Sequence, residues 1–264
     1  MKFGYRSFIR LLTALLVAGC AAPLRPSLGD RGKLIRTVML LPPRIDVYEV
    51  DIGGSKVRKE EWSSQARKNL LSSMERELRR AGLVVRAVTA DSMPGELTAN
   101  LEESYALFDE IFATIDFHRP VMRLVERRPG RLEDFNDLLK KFDYSLGAEI
   151  NKFSMGDADA ILLVTGADHV ATAGLKARMV VDHTLSLLIA LALPVPIGVW
   201  ITGPGGYRGA EVVVALADSR SGSILWYTRI PPPGMLDYDL RDAESSTAFV
   251  KKALESFPLG DEKR

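Results

Sequence analysis

Apolar and polar positions along the chain alternate in ways that mark out its elements. Thr37 to Leu41 is a short apolar run stopped by Pro42-Pro43, the pattern of a buried strand. In Arg44 to Val50, Ile45 and Val47 alternate with Arg44, Asp46 and Glu49, which predicts a half-exposed strand ending in a turn at Asp51-Ile52-Gly53-Gly54-Ser55. Trp62, Ala66, Leu70, Met74 and Leu78 then recur every fourth residue, with Leu71 and Ala81 beside them and Arg67, Lys68, Glu75, Arg76, Arg79 and Arg80 on the other side. That spacing predicts an amphipathic helix, with Glu60 and Glu61 favouring its N-terminal dipole and Gly82 closing it. Leu83 to Val88 reads as the next strand, so strand, helix and strand make a crossover unit with parallel strands.

Residues 91–150 read as helical. Leu101, Tyr105, Phe108, Phe112 and Ile115 form one stripe, and Leu132, Phe135, Leu138, Leu139 and Phe142 form another. Arg119-Pro120 and Arg127-Arg128-Pro129-Gly130 break the pattern between them, so the segment is expected to hold two helices, packed as a hairpin or laid across the sheet. Asp157 to Gly166 (DADAILLVTG) is an apolar run led by two acids and predicts a central strand covered on both faces. A helix over about 174–193 and a glycine-rich loop over 202–207 follow. Ala210–Ala217 and Ser223–Ile230 flank a five-residue turn and predict an antiparallel hairpin at or near a sheet edge. Ala243, Thr247, Val250, Leu254 and Phe257 mark a closing helix. The expected fold is α/β: a mixed β-sheet with packed helices, a helical insert at about 91–150, and a C-terminal β-hairpin plus helix.

The start of the chain follows another plan. Lys2, Arg6 and Arg10 precede a short apolar core, Leu11 to Ala18, which ends in Val17-Ala18-Gly19-Cys20. Basic, then apolar, then small residues is the layout of a secretory signal. Cys20 is the only cysteine in the chain, and with the residues before it this stretch resembles a bacterial lipoprotein signal with its lipobox. The resemblance implies that residues 1–19 are removed, that Cys20 is lipidated with diacylglyceryl and acyl groups, and that residues 20–36 tether a single domain, 37–264, to a membrane. Ala21, rather than Asp, follows Cys20, which resembles the sorting pattern for outer-membrane retention facing the periplasm, the inner membrane remaining the alternative.

Composition narrows the choice of partner. Of 264 residues, 47% are hydrophobic and 26% charged, enough for an ordinary core. Without the three signal cations, 32 Lys and Arg stand against 34 Asp and Glu, so no basic excess points to nucleic acid. With no cysteine after Cys20, no internal disulfide is possible.

Candidate chemistry is sparse. Gly203-Pro204-Gly205-Gly206 lacks the Gly-Lys-Ser/Thr ending of a phosphate loop, and no Gly-x-Ser-x-Gly elbow occurs. His118, His169 and His183 lack ligand spacing, so no metal and no cofactor is expected. Asp168-His169, at a strand end, and Tyr207, in the glycine-rich loop, are the candidate ligand or partner residues; no catalytic residue is assigned. Arg79-Arg80 and Arg127-Arg128 read as solvated faces. Leu185 to Ile201 is a 17-residue run without charge, shorter than the ~20 residues of a membrane span. A buried helix and strand is its simpler reading; a membrane-facing or subunit-facing element is the other.

The order of elements, from the helix Trp62–Ala81 and LVVRAV through DADAILLVTGA to EVVVALADSRSGSILWY and the closing helix, resembles a group of envelope lipoproteins. These are relatives of the curli secretion lipoprotein, the N-terminal domain of the Tol-system β-propeller protein and the lipoprotein activators of penicillin-binding proteins. The resemblance implies a small α/β sandwich used for binding and assembly, with no chemistry of its own. The expected role is a non-enzymatic accessory or assembly lipoprotein with an envelope protein partner or self-association. The alternatives are an export or pore-forming subunit, and a small-ligand binder or enzyme using loops 165–170 and 202–208.

Overall fold

A computed structural model describes residues 34–126, 144–154, 156–178, 181, 209–230 and 238–257. The chain has an α/β fold built on one mixed seven-stranded sheet. The strands are β1 (Thr37–Leu40), β2 (Arg44–Val50), β3 (Lys56–Arg58), β4 (Val84–Ala87), β5 (Ala160–Ala171), β6 (Ala210–Asp218) and β7 (Ile224–Ile230). The helices are α1 (Glu60–Arg80), α2 (Gly95–Glu126) and α3 (Ala243–Ala253).

β1 and β2 share one place in the sheet. Both run parallel to the same edge of β5, β1 beside Ala160–Leu162 and β2 beside Thr165–Ala171. Leu40 faces Leu162 and Arg44 faces Thr165, so the first strand holds one more residue than β5 over this stretch. The surplus falls at Leu41-Pro42-Pro43, where two prolines supply no N–H to a ladder. Beyond this composite strand, β4 lies parallel to β1 and β3 antiparallel to β2. On the other side of β5 come β6 and then β7, both antiparallel, so the hairpin reaches an edge of the sheet as expected.

Strict alternation divides the core between two faces. Val38, Leu40, Ile45, Val47, Leu162 and Val164 pack against Ala66, Leu70, Met74 and Leu78 of α1 and Phe249, Val250 and Ala253 of α3. Met39, Leu41, Ile161, Leu163, Val213 and Ala215 pack against Leu101, Tyr105, Phe108 and Ile115 of α2, with Tyr144, Ile150 and Phe153 completing that layer. The expected stripe on α1 is therefore the buried one. On α3 the buried line runs through Ser246, Phe249, Val250 and Ala253 rather than through Thr247, whose hydroxyl donates to the Ala243 carbonyl.

The ends of α1 are fixed locally. Ser63 Oγ accepts from the Val47 N–H and donates to the Lys59 carbonyl, which pins the first turn to β2. At the far end Gly82 (φ 89°) donates to Arg79 O and Leu83 donates to Leu78 O, the paired bonds of a left-handed glycine cap that turns the chain into β4.

Two expectations are corrected. Residues 95–126 form one continuous helix through Pro120, where a break was expected. A proline removes a single hydrogen bond and strains the turn before it, and that loss does not end a helix whose preceding turns are held by a buried stripe. The second expected stripe, 132–142, lies outside the described residues, and 148–153 form 3₁₀ turns. β5 also does not stop at Gly166 but continues to Ala171. The glycine is there for space: a Cβ on it would lie 2.2 Å from the Glu211 carbonyl oxygen and 2.8 Å from Val212 Cα, so a side chain at this position would push β6 away from β5. Of the helix expected over 174–193, residues 173–178 are helical; Leu185–Ile201 and the 202–207 loop lie outside the described residues.

Gly166→Ala is expected to destabilise the protein by about 2–4 kcal/mol, the range for forced overpacking and backbone displacement. Gly174, in a helical turn where an added Cβ would meet nothing within 4 Å, is the control. Gly174→Ala is expected to be neutral or to stabilise by up to about 1 kcal/mol. Denaturant midpoints of the two variants check both signs.

Candidate functional site at the carboxyl end of the central strand

The carboxyl end of β5 carries polar groups on both faces of the sheet, and adjacent residues are sent to opposite sides. Asp168 and His169 therefore do not converge. Asp168 is buried at 1% exposure on the α1–α3 side, where its Oδ2 accepts the Leu240 N–H at 3.0 Å. Asn69 Nδ2 donates to the carbonyls of Leu240 and Arg241, and Ser246 Oγ donates to Leu240 O. Asp168 is thus part of a clamp that holds the segment before α3 onto β5 and α1.

His169 lies on the α2 side, stacked on Tyr48 with ring centroids 5.6 Å apart. Its Nε2 is 3.1 Å from Lys56 Nζ. An ammonium only donates, so Nε2 accepts and the ring proton sits on Nδ1, facing the Gly209 carbonyl at 3.3 Å. This neutral imidazole ties together β2, β3, β5 and the start of β6. Tyr207 lies outside the described residues, as does His183. Both residues of the pair belong to a strand and not to the loop expected at 165–170.

A second set of groups was not foreseen. Arg44, Thr165, Val213 and Arg229 sit opposite one another across β2, β5, β6 and β7 and form a row beneath α2. Arg44 pairs with Asp109 of α2, donates to Thr165 Oγ1 at 3.0 Å, and lies 5.0 Å over the Tyr105 ring. Arg229 pairs with Asp116 of α2 and with Glu211 of β6. Burial opposes the charge on Arg229, but the bond to Glu211 and the field of Asp116 outweigh it and raise its pKa further. Asp109 and Asp116 are seven residues apart, two helical turns, so both project toward the sheet beside the apolar stripe. That heptad spacing of acids was the available signal, together with the single arginine in the mostly apolar β7.

Tyr105, buried and donating to the Pro42 carbonyl at 2.8 Å, seals the inner end of this row. Burial pushes its hydroxyl well above the ordinary phenol range, so it remains a neutral donor.

On the opposite face, Trp62 is covered by Arg241, whose guanidinium carbon is 4.2 Å from the ring centroid, with Lys59 at 5.8 Å. Lys59 pairs with Glu49 at 2.8 Å and Arg241 with Asp239 at 2.7 Å. The Arg241 side chain and its backbone N–H hold the Asp239 carboxyl below its ordinary range, against some burial.

Chemically, these are satisfied pairs. Arg44 and Arg229 each face a carboxylate, and the buried Asp168 takes a backbone N–H. Among the described residues no group of three His, Cys, Asp or Glu side chains is placed to hold a metal ion. No helix among them is long and apolar enough to cross a membrane. Arg79 and Arg80 lie on a solvated face, paired with Glu75 and Glu77; Arg127-Arg128 lies outside the described residues.

Asp239→Asn is expected to lower stability at pH 7. A depressed carboxyl pKa contributes stability above the unfolded value, ~3.9, that is lost as the pH falls through the folded value. Wild type and variant are therefore expected to converge in thermal stability as the pH falls from the unfolded carboxyl value through the lower folded one, where the Asp239 side chain loses its charge. Arg229→Met is expected to cost about 2 kcal/mol at pH 7 by leaving Asp116 and Glu211 half-buried without their shared donor, as read from denaturant unfolding.

No family model, no curated protein and no solved structure matches the chain, so the geometry and the leader sequence are the grounds for a functional reading.

Proposed function

We propose that the chain is a lipid-anchored envelope protein: an outer-membrane lipoprotein facing the periplasm that acts as a non-enzymatic accessory or assembly component. Its body binds an envelope protein or a second copy of itself. The observation that carries this reading is Val17-Ala18-Gly19-Cys20, the sole cysteine at the end of a basic and then apolar leader. A lone thiol in that setting fits an acylation site, and two or more acyl chains make a stable anchor where one is marginal.

A binding role is supported by how the polar groups are used. The pair Asp168-His169 is split across the sheet, and each member is engaged in holding strands or loops together. The arginines of the α2 side join helix to sheet and are matched by acids. What the body offers to a partner is surface, with Ile52 and Val57 exposed at 54% each on the β2–β3 hairpin.

The test is labelling of cells with palmitate. Cys20→Ser is expected to abolish incorporation into this polypeptide and to shift it from the membrane to the soluble envelope fraction. Incorporation that persists in Cys20→Ser, or a wild-type chain that takes up no label, contradicts the anchor. Cross-linking of the lipidated protein in native envelopes is expected to trap a discrete protein adduct, hetero- or homomeric.

A further inference from the structure

α2 is charged in one sense only over most of its length. Between Asp91 and His118 the chain holds seven acids and no lysine or arginine. The surface of α1 is different, since Arg67, Arg76, Arg79 and Arg80 each lie beside a glutamate. Two of the seven acids, Asp109 and Asp116, are turned to the sheet and meet Arg44 and Arg229. Glu102, Glu103 and Glu110 are exposed, and none of them has an ion pair among the described residues. Lys152, in the 148–153 turns, is held by Glu149, and the charge of Glu103 reaches it only weakly.

The same side of α2 is apolar between these carboxylates. Leu107 is 43% exposed and Phe117 67%, with Ala106 and Ala113 exposed beside them. At about 3.6 residues per turn these positions and the three glutamates share one side of the helix, opposite the buried Leu101, Tyr105, Phe108 and Ile115. Glu103, Leu107, Glu110, Thr114 and Phe117 follow one another at alternating steps of four and three, the spacing with which one helix packs along another. A surface helix ordinarily turns a polar face to water, and this seam ends instead on a large exposed aromatic ring. The buried stripe and the two arginines beneath fix α2 to the sheet, so the seam is presented already ordered.

Resting on the reading of the body as a binding module, we infer that the outer face of α2, from Glu102 to Phe117, docks a basic amphipathic helix of an envelope protein. Its lysine or arginine side chains meet Glu102, Glu103 and Glu110, and its apolar side meets Leu107 and Phe117. Charge selects this occupant. A second copy laid on the face by a two-fold axis sets acid against acid. An anionic leaflet is repelled by the same carboxylates. A divalent ion has no group of three ligating side chains placed to hold it among the described residues. Length sets the size of the occupant: at a rise of about 1.5 Å per residue the face is roughly 22 Å long, about four turns of one helix. The other exposed apolar pair, Ile52 and Val57, flanks Lys56, which is engaged with His169, and adjoins Arg58, which pairs with Asp46 and Glu60. No unpaired charge there selects a partner.

The test is photo-cross-linking of the full lipidated chain in native envelopes. Leu107, Phe117 and, separately, Val57 are each replaced by benzoylphenylalanine. Irradiation is expected to give the same hetero-adduct from positions 107 and 117, joined to a partner segment of net positive charge, and no such adduct from 57. Adduct yield is expected to fall on the order of tenfold in Glu102→Gln/Glu103→Gln/Glu110→Gln, as for an electrostatically steered encounter. The same fall is expected in 1 M NaCl, where the screening length is about 3 Å. That triple variant is expected to keep the wild-type unfolding midpoint, because its three acids hold nothing in the fold. Glu102→Asp/Glu103→Asp/Glu110→Asp, which keeps the charge, is expected to keep the adduct. An adduct with a second copy, an adduct with a segment lacking net positive charge, or a yield unchanged by neutralisation overturns the assignment. Adducts from 57 alone overturn this face and leave the binding role standing. No adduct from any of the three positions overturns both.

Discussion

The structure depends on the burial of β5. Its 12 residues lie between the composite β1–β2 strand and β6, and most of them are buried, with helices on both faces. Every other element is placed by reference to it. β1 and β2 can act as one strand only because both keep hydrogen bonding to the same edge of β5 across the Pro42-Pro43 surplus. The β6–β7 hairpin joins through the opposite edge. A strand so placed has no solvent-facing side on which a polar residue is cheap, and this is why the polar groups near its end are all matched.

That constraint explains the polar architecture above Thr165. Where the apolar rows end, α2 still has to be held over a sheet that has become polar, and Asp109 and Asp116 do this by meeting Arg44 and Arg229. Ion pairs of this kind orient more than they stabilise, since removing the charges from water offsets much of the attraction. On the opposite face Asp168 and Asn69 perform the corresponding task for the segment before α3 through backbone groups. The same end of the sheet is therefore tied down twice by different chemistry. The other end, where Leu34 leads in, carries arginines in exposed pairs.

Much of the fold was legible because periodicity reports burial. The stripe of α1, the crossover to β4, the hairpin 210–230 and the buried face of α2 all follow from spacing. The misreadings have physical causes. Gly166 reads as a strand end, because a glycine's use as a spacer between strands depends on a neighbour, Glu211, that lies 45 residues away. Once β5 runs on to Ala171, alternation alone separates Asp168 from His169. Pro120 reads as a break because local rules omit the tertiary contacts that hold the turns of α2 before it. The two ion pairs that join α2 to the sheet, Arg44–Asp109 and Arg229–Asp116, link residues more than 60 positions apart, so only the heptad spacing of the two acids hinted at them.

If β5 is the strand on which the rest is assembled, its amides should be the last to open. Native-state hydrogen exchange resolves this directly. Amides of Ile161 to Val164 are expected to exchange only through global unfolding, with a free energy equal to that from denaturant, while those of β3 and β4 at the edge exchange through smaller local openings. Exchange at Ile161 to Val164 as fast as at the edge strands, well below the global value, would contradict the account.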